Sequence, residues 1–474
     1  MASDLAAETT RPVTTAGLVV LLSATFMAQF DFFVVNVAAP SIKRNLPAGQ
    51  ASLALIVGAY AFGYAAALVL GGRLGDLYGR RRVLRLGMSA FTAASVLCSV
   101  ATDAGFLITA RSAQGLAAAM MLPQVLAVIT AGTDAHWRAR AMAWYSVAAG
   151  AGSIAGQVLG GLLVTADVAG LGWRLIFLVN LPIGIVGTAL AGRLPSRVGA
   201  HVEGRSALDP LGALGFATGL ALALVPLTMG RAWGWRWWTW ASMFAAVLVL
   251  WATLRWQRVL RVRGGQPLLD LTLFRISSFR SGFIANAAFM ACFGSYMFTL
   301  ALQLQGPLGL TAFQAGLVFA PAGAGFSISA LFAPRLVRRH GQAATVAGAA
   351  VAAGGLVALG AATAFAGSHA SIACLTVIVV VISLGNGVVL PSLVGAGLGD
   401  VPPQLAGAGS GALATGQQFA SAVGVAGIGT LYFATAGTGS GVGMAWAAAA
   451  DALLVMLVAA LVRRQARRIR ADEL

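Results

Sequence analysis

Three charged residues fall deep inside apolar runs of this chain: Asp31, Arg111 and Asp451. A charge at mid-bilayer costs about 2.5–3.5 kcal/mol on insertion scales, so such residues face a cavity or a partner and mark candidate sites. A carboxyl next to an arginine favours its charged form, whereas burial alone favours the neutral acid. Admitting water or a ligand tips that balance, which is the physics of a proton carrier. Asp31 is expected to carry the proton and Arg111 to tune it; the alternative is a static ion pair that pins two helices. Asp451 ranks behind them as a secondary buried acid.

The elements that hold these residues follow from composition. Of 474 residues, 59% are hydrophobic and 9% are charged. Soluble domains carry about 25% charge, so the chain reads as an integral membrane protein and most soluble enzyme folds are excluded. The formal net charge is +17, from 31 Lys+Arg against 14 Asp+Glu. In a membrane protein that excess points to loop orientation, not to nucleic acid. The single lysine, Lys43, lies in no Walker A loop, so no P-loop ATPase is expected. The cysteines Cys98, Cys292 and Cys374 are widely spaced and the four histidines are scattered, so neither a disulfide framework nor a metal or cofactor site is expected.

A span needs about 20 apolar residues. The sequence is expected to form fourteen, the first centred near residue 28 and the last near 452, with two of the others near 92 and 420. The first apolar run exceeds the core of a signal peptide and is expected to be retained. With the N-terminus inside, the inner loops and tails take 25 of the 31 basic residues. The outer boundaries take Lys43, Arg44, Arg174, Arg231 and Arg236, and Arg111 remains for the membrane. That split predicts both termini on the cytoplasmic side. Five tryptophans between Trp233 and Trp240 read as a headgroup-level anchor. On a rise of 1.5 Å per residue, Asp31 lies about 22 Å and Arg111 about 20 Å from the inner face, close enough in height to pair.

Arg73-Leu74 followed by Gly79 recurs as Arg335-Leu336 followed by Gly341. Their offset fits two halves, residues 1–205 and 263–474, around an insert at 206–262 that holds spans 7 and 8. A substrate site between such halves sits near the midplane. Candidate cavity residues are Gln29, Asn36, Gln114, Asn286, Tyr296, Asn386, Gln417 and Gln418.

Several strings carry a resemblance. Gly72-Arg-Leu-Gly-Asp76-Leu-Tyr-Gly79-Arg80-Arg81-Arg82 closely resembles the inner-loop signature of the major facilitator superfamily. The segment Phe30-Asp31 to Asn36 and Pro40 resembles the first-span motif of its fourteen-span drug:proton antiporters, with Phe33 in place of the usual threonine. Arg111-Ser-Ala-Gln114-Gly115 resembles the family's fourth-span motif. Gly152-Ser-Ile-Ala-Gly156-Gln157-Val-Leu-Gly160-Gly161 resembles its antiporter motif, with Gln157 in place of proline. Trp173-Arg174 to Asn180, Pro182 and Gly184 matches a further string of that group.

The resemblance implies an all-α integral membrane protein of the major facilitator fold: two six-helix bundles plus two inserted central helices, fourteen spans in all. It implies a gate at Gly72, Asp76, Gly79, Arg80 and Arg81. It implies a monomeric transporter in the bacterial cytoplasmic membrane, without catalysis or cofactor, whose partners are protons, lipid and a small organic substrate. The leading expectation is export of amphipathic drugs or antibiotics in exchange for protons by alternating access. The alternative is a facilitator or symporter of another small organic solute, which the Gln157 departure favours.

Overall fold

The computed structural model describes residues 14–46, 49–130, 135–194, 209–230, 233–265, 267–402, 405–439 and 441–472. The expected boundary after residue 205, the N-terminal tail and Arg231 lie outside them. The first helices are α1 Thr15–Asn45, α2 Gln50–Tyr78, α3 Arg80–Ser99, α4 Ala104–Thr130 and α5 Ala135–Ala166. The short α6 Leu175–Leu178 and α7 Asn180–Leu190 follow, then α8 Pro210–Met229 and α9 Trp237–Val262. The remainder comprises α10 Ser277–Gln305, α11 Ala312–His340, α12 Gln342–Ala366, α13 Ile372–Leu398, α14 Ala406–Thr435 and α15 Val442–Asp472.

The expectation of fourteen spans is corrected to twelve. Among the described residues, twelve helical stretches are long and apolar enough to cross a membrane, with Gly172–Leu190 counting as one. The runs near residues 92 and 420 form α3 and α14, which fall short. α3 opens on Arg80, Arg81 and Arg82 and carries Arg85 a turn later. α14 is diluted by polar and glycine positions such as Gly416, Gln417, Gln418, Ser421 and Gly424. Reading apolar runs by length alone overlooked this dilution, and the tally of two six-span bundles plus two inserted spans fails with it. The fold is all-α and mostly membrane-spanning.

Local signals set the helix ends. The Thr14 hydroxyl caps α1, and a reciprocal Thr311–Gln314 capping box opens α11. Gly79 (φ +92°) separates α2 from α3, and Gly341 (φ +60°) separates α11 from α12 at the matching point of the repeat. Both positions need a positive φ that a side chain resists.

Without water to drive helices together, packing rests on close backbone approach through small residues. α2 and α4 meet at Gly63, Gly71 and Gly115; a Cβ on Gly71 would lie 2.0 Å from the Ala119 carbonyl. α5 lies along α1 through Gly152, Gly156 and Gly160, whose added Cβ atoms would strike Phe26, Phe30 and Val34 in turn. Helices α1–α7 pack among themselves, as do α10–α15. The two sets meet where α2 packs on α14 and α5 on α11, and the α8–α9 pair rests against α2 and α14 through α8.

Candidate functional site

Asp31 on α1 and Arg111 on α4 are both fully buried and form an ion pair. Arg111 Nη1 donates to Asp31 Oδ2 and, at 2.7 Å, to Gln114 Oε1. The other carboxylate oxygen, Oδ1, accepts from Gln114 Nε2 at 2.8 Å and from Asn180 Nδ2 at 3.1 Å. Gln114 Nε2 also reaches Ser95 Oγ at 2.8 Å. Charge-assisted bonds of this kind are about twice as strong as neutral ones.

The guanidinium lies 4.7 Å from the Tyr60 ring centroid and 5.7 Å from that of Phe177, within cation–π range. Among the described residues, Arg111 Nε and Nη2 have no hydrogen-bond partner. The hydrogen-bonded network is built by α1, α3, α4 and α7, and α2 and α6 supply the two rings beside the guanidinium. The i, i+3 spacing of Arg111 and Gln114 places both side chains on one face of α4.

On another face of α1, a narrow cleft with room for about one water opens between α1, α2, α10 and α14. Its walls include Phe32, Asn36, Gly58, Gly294, Met297 and Ser421. Asn36 Nδ2 turns back to the carbonyls of Phe32 and Phe33, each at 3.4 Å, and among the described residues Oδ1 has no partner. Phe32 meets Tyr60 edge-on at 6.0 Å. One side chain thus separates the cleft from the ring under Arg111.

Of the residues expected to line a cavity, Asn36 borders this cleft. Gln114 belongs to the ion-pair network. Gln29 is half-buried on α1. Asn286, Tyr296 and Asn386 are buried within α10 and α13, and each has at least one unpartnered polar atom. Gln417 and Gln418 are partly buried on α14, and Gln418 Oε1 is unpartnered. Asp451 on α15 is fully buried; it accepts from Ser295 Oγ on α10 and leaves Oδ2 unpartnered.

The inner-loop string forms a second centre. Gly72 lies near the end of α2. Arg80 Nη2 meets Asp76 Oδ1 at 3.2 Å, and Arg80 Nη1 donates to the Ala127 carbonyl at 2.7 Å. Arg81 donates to the Leu194 carbonyl at 3.1 Å. Arg73 donates to the Pro267 carbonyl at 2.6 Å, joining this loop to the segment before α10. Burial disfavours the charged form of Arg73, and the nearby carboxylates of Asp209 and Asp76 oppose that. In the glycine string, Gly152, Gly156 and Gly160 face α1. Gly161 faces Ala312, and the Gln157 backbone faces Gly316 of α11. α5 is a continuous helix through Gln157. Among the described residues no cluster of His, Cys, Asp or Glu could hold a metal ion.

Sequence reasoning missed Ser95, Asn180, Tyr60 and Phe32 as neighbours of the acid. It also missed Asp209, which is buried and caps α8 while accepting from Trp256 and Gln257. Asp209 had a signal in its place directly before Pro210 and an apolar run. The other four are ordinary residues whose faces no spacing distinguishes.

The family model of the Major Facilitator Superfamily matches residues 21–213 and 210–425. A probable actinorhodin transporter of Streptomyces coelicolor is 36% identical over 431 residues, covering 89% of this chain and 73% of that one. An uncharacterized MFS-type transporter of Mycobacterium tuberculosis, Rv1250, is 30% identical; the match covers 66% of this chain and 52% of that one, about half its length. The cephamycin export protein CmcT of Amycolatopsis lactamdurans is 33% identical, covering 72% and 69%. Among solved structures, a bacterial homolog of the human lysosomal transporter Spinster, inward-facing and occupied, superposes with a TM-score of 0.69 at 15% identity over 96% of this chain and 97% of that one. An auto-inhibited POT family peptide transporter gives 0.68 at 17% identity, over 94% and 96%. At these identities the two structures speak for the fold alone.

Proposed function

The chain belongs to the Major Facilitator Superfamily, and from that premise we propose that it exports amphipathic organic compounds, drugs or antibiotics, in exchange for protons. The coarser function, secondary transport of a small organic compound by alternating access across a bacterial inner membrane, goes with the family and is not enzymatic. The observation that carries the finer reading is the buried Asp31–Arg111 pair, held by Gln114 and Asn180 and set one ring away from a cleft between the two helix sets.

A static pair needs only its cation. Here the carboxylate has a cation and two amide donors, so protonation of Asp31 disturbs bonds to α4 and α7 together. A proton bound there loosens α1, and a proton released there restores the network. The gate at Gly72, Asp76, Gly79, Arg80 and Arg81 acts at the arginine-rich end, where Arg80 ties α3 to α4. The names of two relatives, a transporter of actinorhodin and an exporter of cephamycin, support organic export. One charge moving through 100 mV supplies about 2.3 kcal/mol, enough for a roughly 40-fold gradient.

The test is a preset proton gradient in inverted membrane vesicles. A substrate is expected to dissipate it with the wild type and not with Asp31→Asn. Dissipation by the variant refutes the role of Asp31. A confirmed substrate that leaves the wild-type gradient untouched favours the alternative, a facilitator. One observation supports that alternative: Gln157 stands inside the continuous helix α5, where the resembled antiporter motif has the kink-forming proline.

A further inference from the structure

Each helix set buries one acid, and the same side-chain types surround the two. Near Asp31 stand Ser95 and Cys98, three residues apart on α3 and both bonded to Gln114. Near Asp451 stand Cys292 and Ser295, three residues apart on α10, with Tyr296 beside them. What differs is the cation. Asp31 has Arg111. The helices packed on α15 are α10, α12 and α14, and they bring Asp451 none. α12 carries no titratable residue, and α14 carries only Tyr432, whose hydroxyl is with Gln303. Arg280 lies twelve residues before Cys292 on α10, and Arg463 twelve after Asp451 on α15, about 18 Å along either helix.

The place of one hydrogen follows. Ser95 donates to the Phe91 carbonyl at 2.9 Å, and its oxygen accepts from Gln114. Ser295 Oγ likewise lies 2.8 Å from the Ala291 carbonyl and 2.9 Å from that of Cys292. A hydroxyl has one hydrogen, and a carbonyl can only accept. With that hydrogen on its own helix, Ser295 Oγ is free to accept from Asp451, and the acid supplies the second hydrogen. The Oγ–Oδ1 contact admits either direction. In the reverse one, an ionised Asp451 takes the Ser295 hydrogen. That leaves a fully buried carboxylate without a cation and, among the described residues, without a partner for Oδ2. A buried charge so placed neutralises instead.

We infer that Asp451 is a second proton-binding site, a neutral acid whose O–H donates to Ser295 Oγ and pins α15 to α10, and that it keeps its proton throughout the transport cycle. Asp31 can release a proton because Arg111 compensates the charge left behind. Asp451 has nothing to compensate it. Proton exchange then falls to Asp31 alone, a consequence that rests on the antiport reading.

Infrared spectroscopy of the purified full-length chain in lipid nanodiscs at neutral pH reads protonated carboxyls through their C=O stretch, and isotope-labelled aspartate assigns the band. The wild type is expected to show a protonated-aspartate band that Asp451→Asn loses. Ser295→Ala removes the acceptor and is expected to keep the band and displace it. The site is overturned if the wild type lacks the band, if Asp451→Asn retains it, or if Ser295→Ala leaves it unmoved. Should Asp451→Asn not fold, the wild-type band and its response to Ser295→Ala decide. In inverted vesicles, folded Asp451→Asn keeps a neutral donor to Ser295, so substrate should dissipate the proton gradient undiminished. Loss of that dissipation in the folded variant overturns the claim that the proton stays. The infrared measurement uses neither substrate nor gradient. A wild type with the band but no dissipation refutes antiport alone, and dissipation without the band refutes the Asp451 site alone.

Discussion

Substituting the two buried charges singly and together separates a proton carrier from a helix pin. In the wild type, Asp31 Oδ2 accepts from Arg111 and Oδ1 accepts from Gln114 and Asn180. Asp31→Asn replaces one of these oxygens with a donor that must face either the guanidinium or the two amides. With that nitrogen towards the guanidinium, Arg111 keeps only Gln114 Oε1 as acceptor; with it towards the amides, two donors face a donor. Breaking a buried pair by removing one partner costs about 3–5 kcal/mol, because the other charge is left uncompensated. Arg111→Gln leaves a buried carboxylate with two neutral donors and is expected to cost a similar amount. Replacing a whole buried pair by well-packed hydrophobic residues of similar volume is often neutral, and removing both charges here likewise leaves neither uncompensated. The double variant Asp31→Asn/Arg111→Gln is therefore expected to regain most of the loss, a coupling of several kcal/mol.

Two measurements on the same proteins decide. Unfolding of the purified variants reads stability, and the vesicle gradient reads proton movement. The expected pattern is two unstable single variants, a stable double variant, and no substrate-driven proton flux in any of the three. A double variant no more stable than the worse single one refutes the electrostatic coupling. A stable double variant that still moves protons reduces the pair to a pin between α1 and α4.

Three further outcomes follow from the geometry. Gly156→Ala would put a Cβ 2.6 Å from the Phe30 carbonyl and is expected to destabilise the protein by about 1–3 kcal/mol, whereas Gly354→Ala, with nothing within 4 Å, should be neutral or up to about 1 kcal/mol stabilising; equal unfolding midpoints for the two variants would contradict the close α1–α5 contact. Asp76→Asn breaks an ion pair whose acid is 51% exposed, so stability should change by under about 1 kcal/mol while transport falls severalfold, and unchanged transport would remove Asp76 from the gate. Of the three thiols, exposed Cys374 should react with N-ethylmaleimide in the native protein, and Cys98 and Cys292 should stay unlabelled until unfolding; mass spectrometry of the intact chain counts the adducts.

Charges were the legible part of this sequence, because a membrane makes each of them expensive. Asp31 and Arg111 stood out against their runs, and the rise per residue put them at one height, where the structure pairs them. The Gly152-Gly156-Gly160 string stood out by its resemblance; its four-residue spacing of small residues also suits close packing in a membrane helix, and the structure lays that face on α1. The span count was not, because α3 and α14 differ from their neighbours only in degree. α3 exchanges its first turn for arginines, and α14 exchanges apolar residues for Gly, Ser and Gln. Neutral partners were illegible. Nothing in the spacing of Ser95 or Asn180 announces a carboxylate 64 or 149 residues distant in the chain, and Gln114 was legible as part of the fourth-span string but not as a partner of the acid.

The faces of α1 explain why charge could be read and cleft could not. At about 100° per residue, Phe26, Phe30 and Val34 fall on one face, which the glycines of α5 cover. Asp31 turns a separate side to α4, and Phe32 with Asn36, four residues on, turns a third side to the cleft. A helix engaged on three sides is apolar nearly all round, so periodicity carries no signal about which residues meet a substrate. On the proposed antiport reading, α1 is the element through which proton and substrate are felt together. A shift of α1 away from Arg111 moves Phe32 and Asn36 as part of the same rigid body. If so, Phe32→Ala, which removes the ring between cleft and Tyr60, should leave the Asp31–Arg111 pair and the unfolding midpoint nearly intact while uncoupling substrate flux from proton flux. Unaltered coupling in that variant would place the connection in the helix backbone and not in the ring.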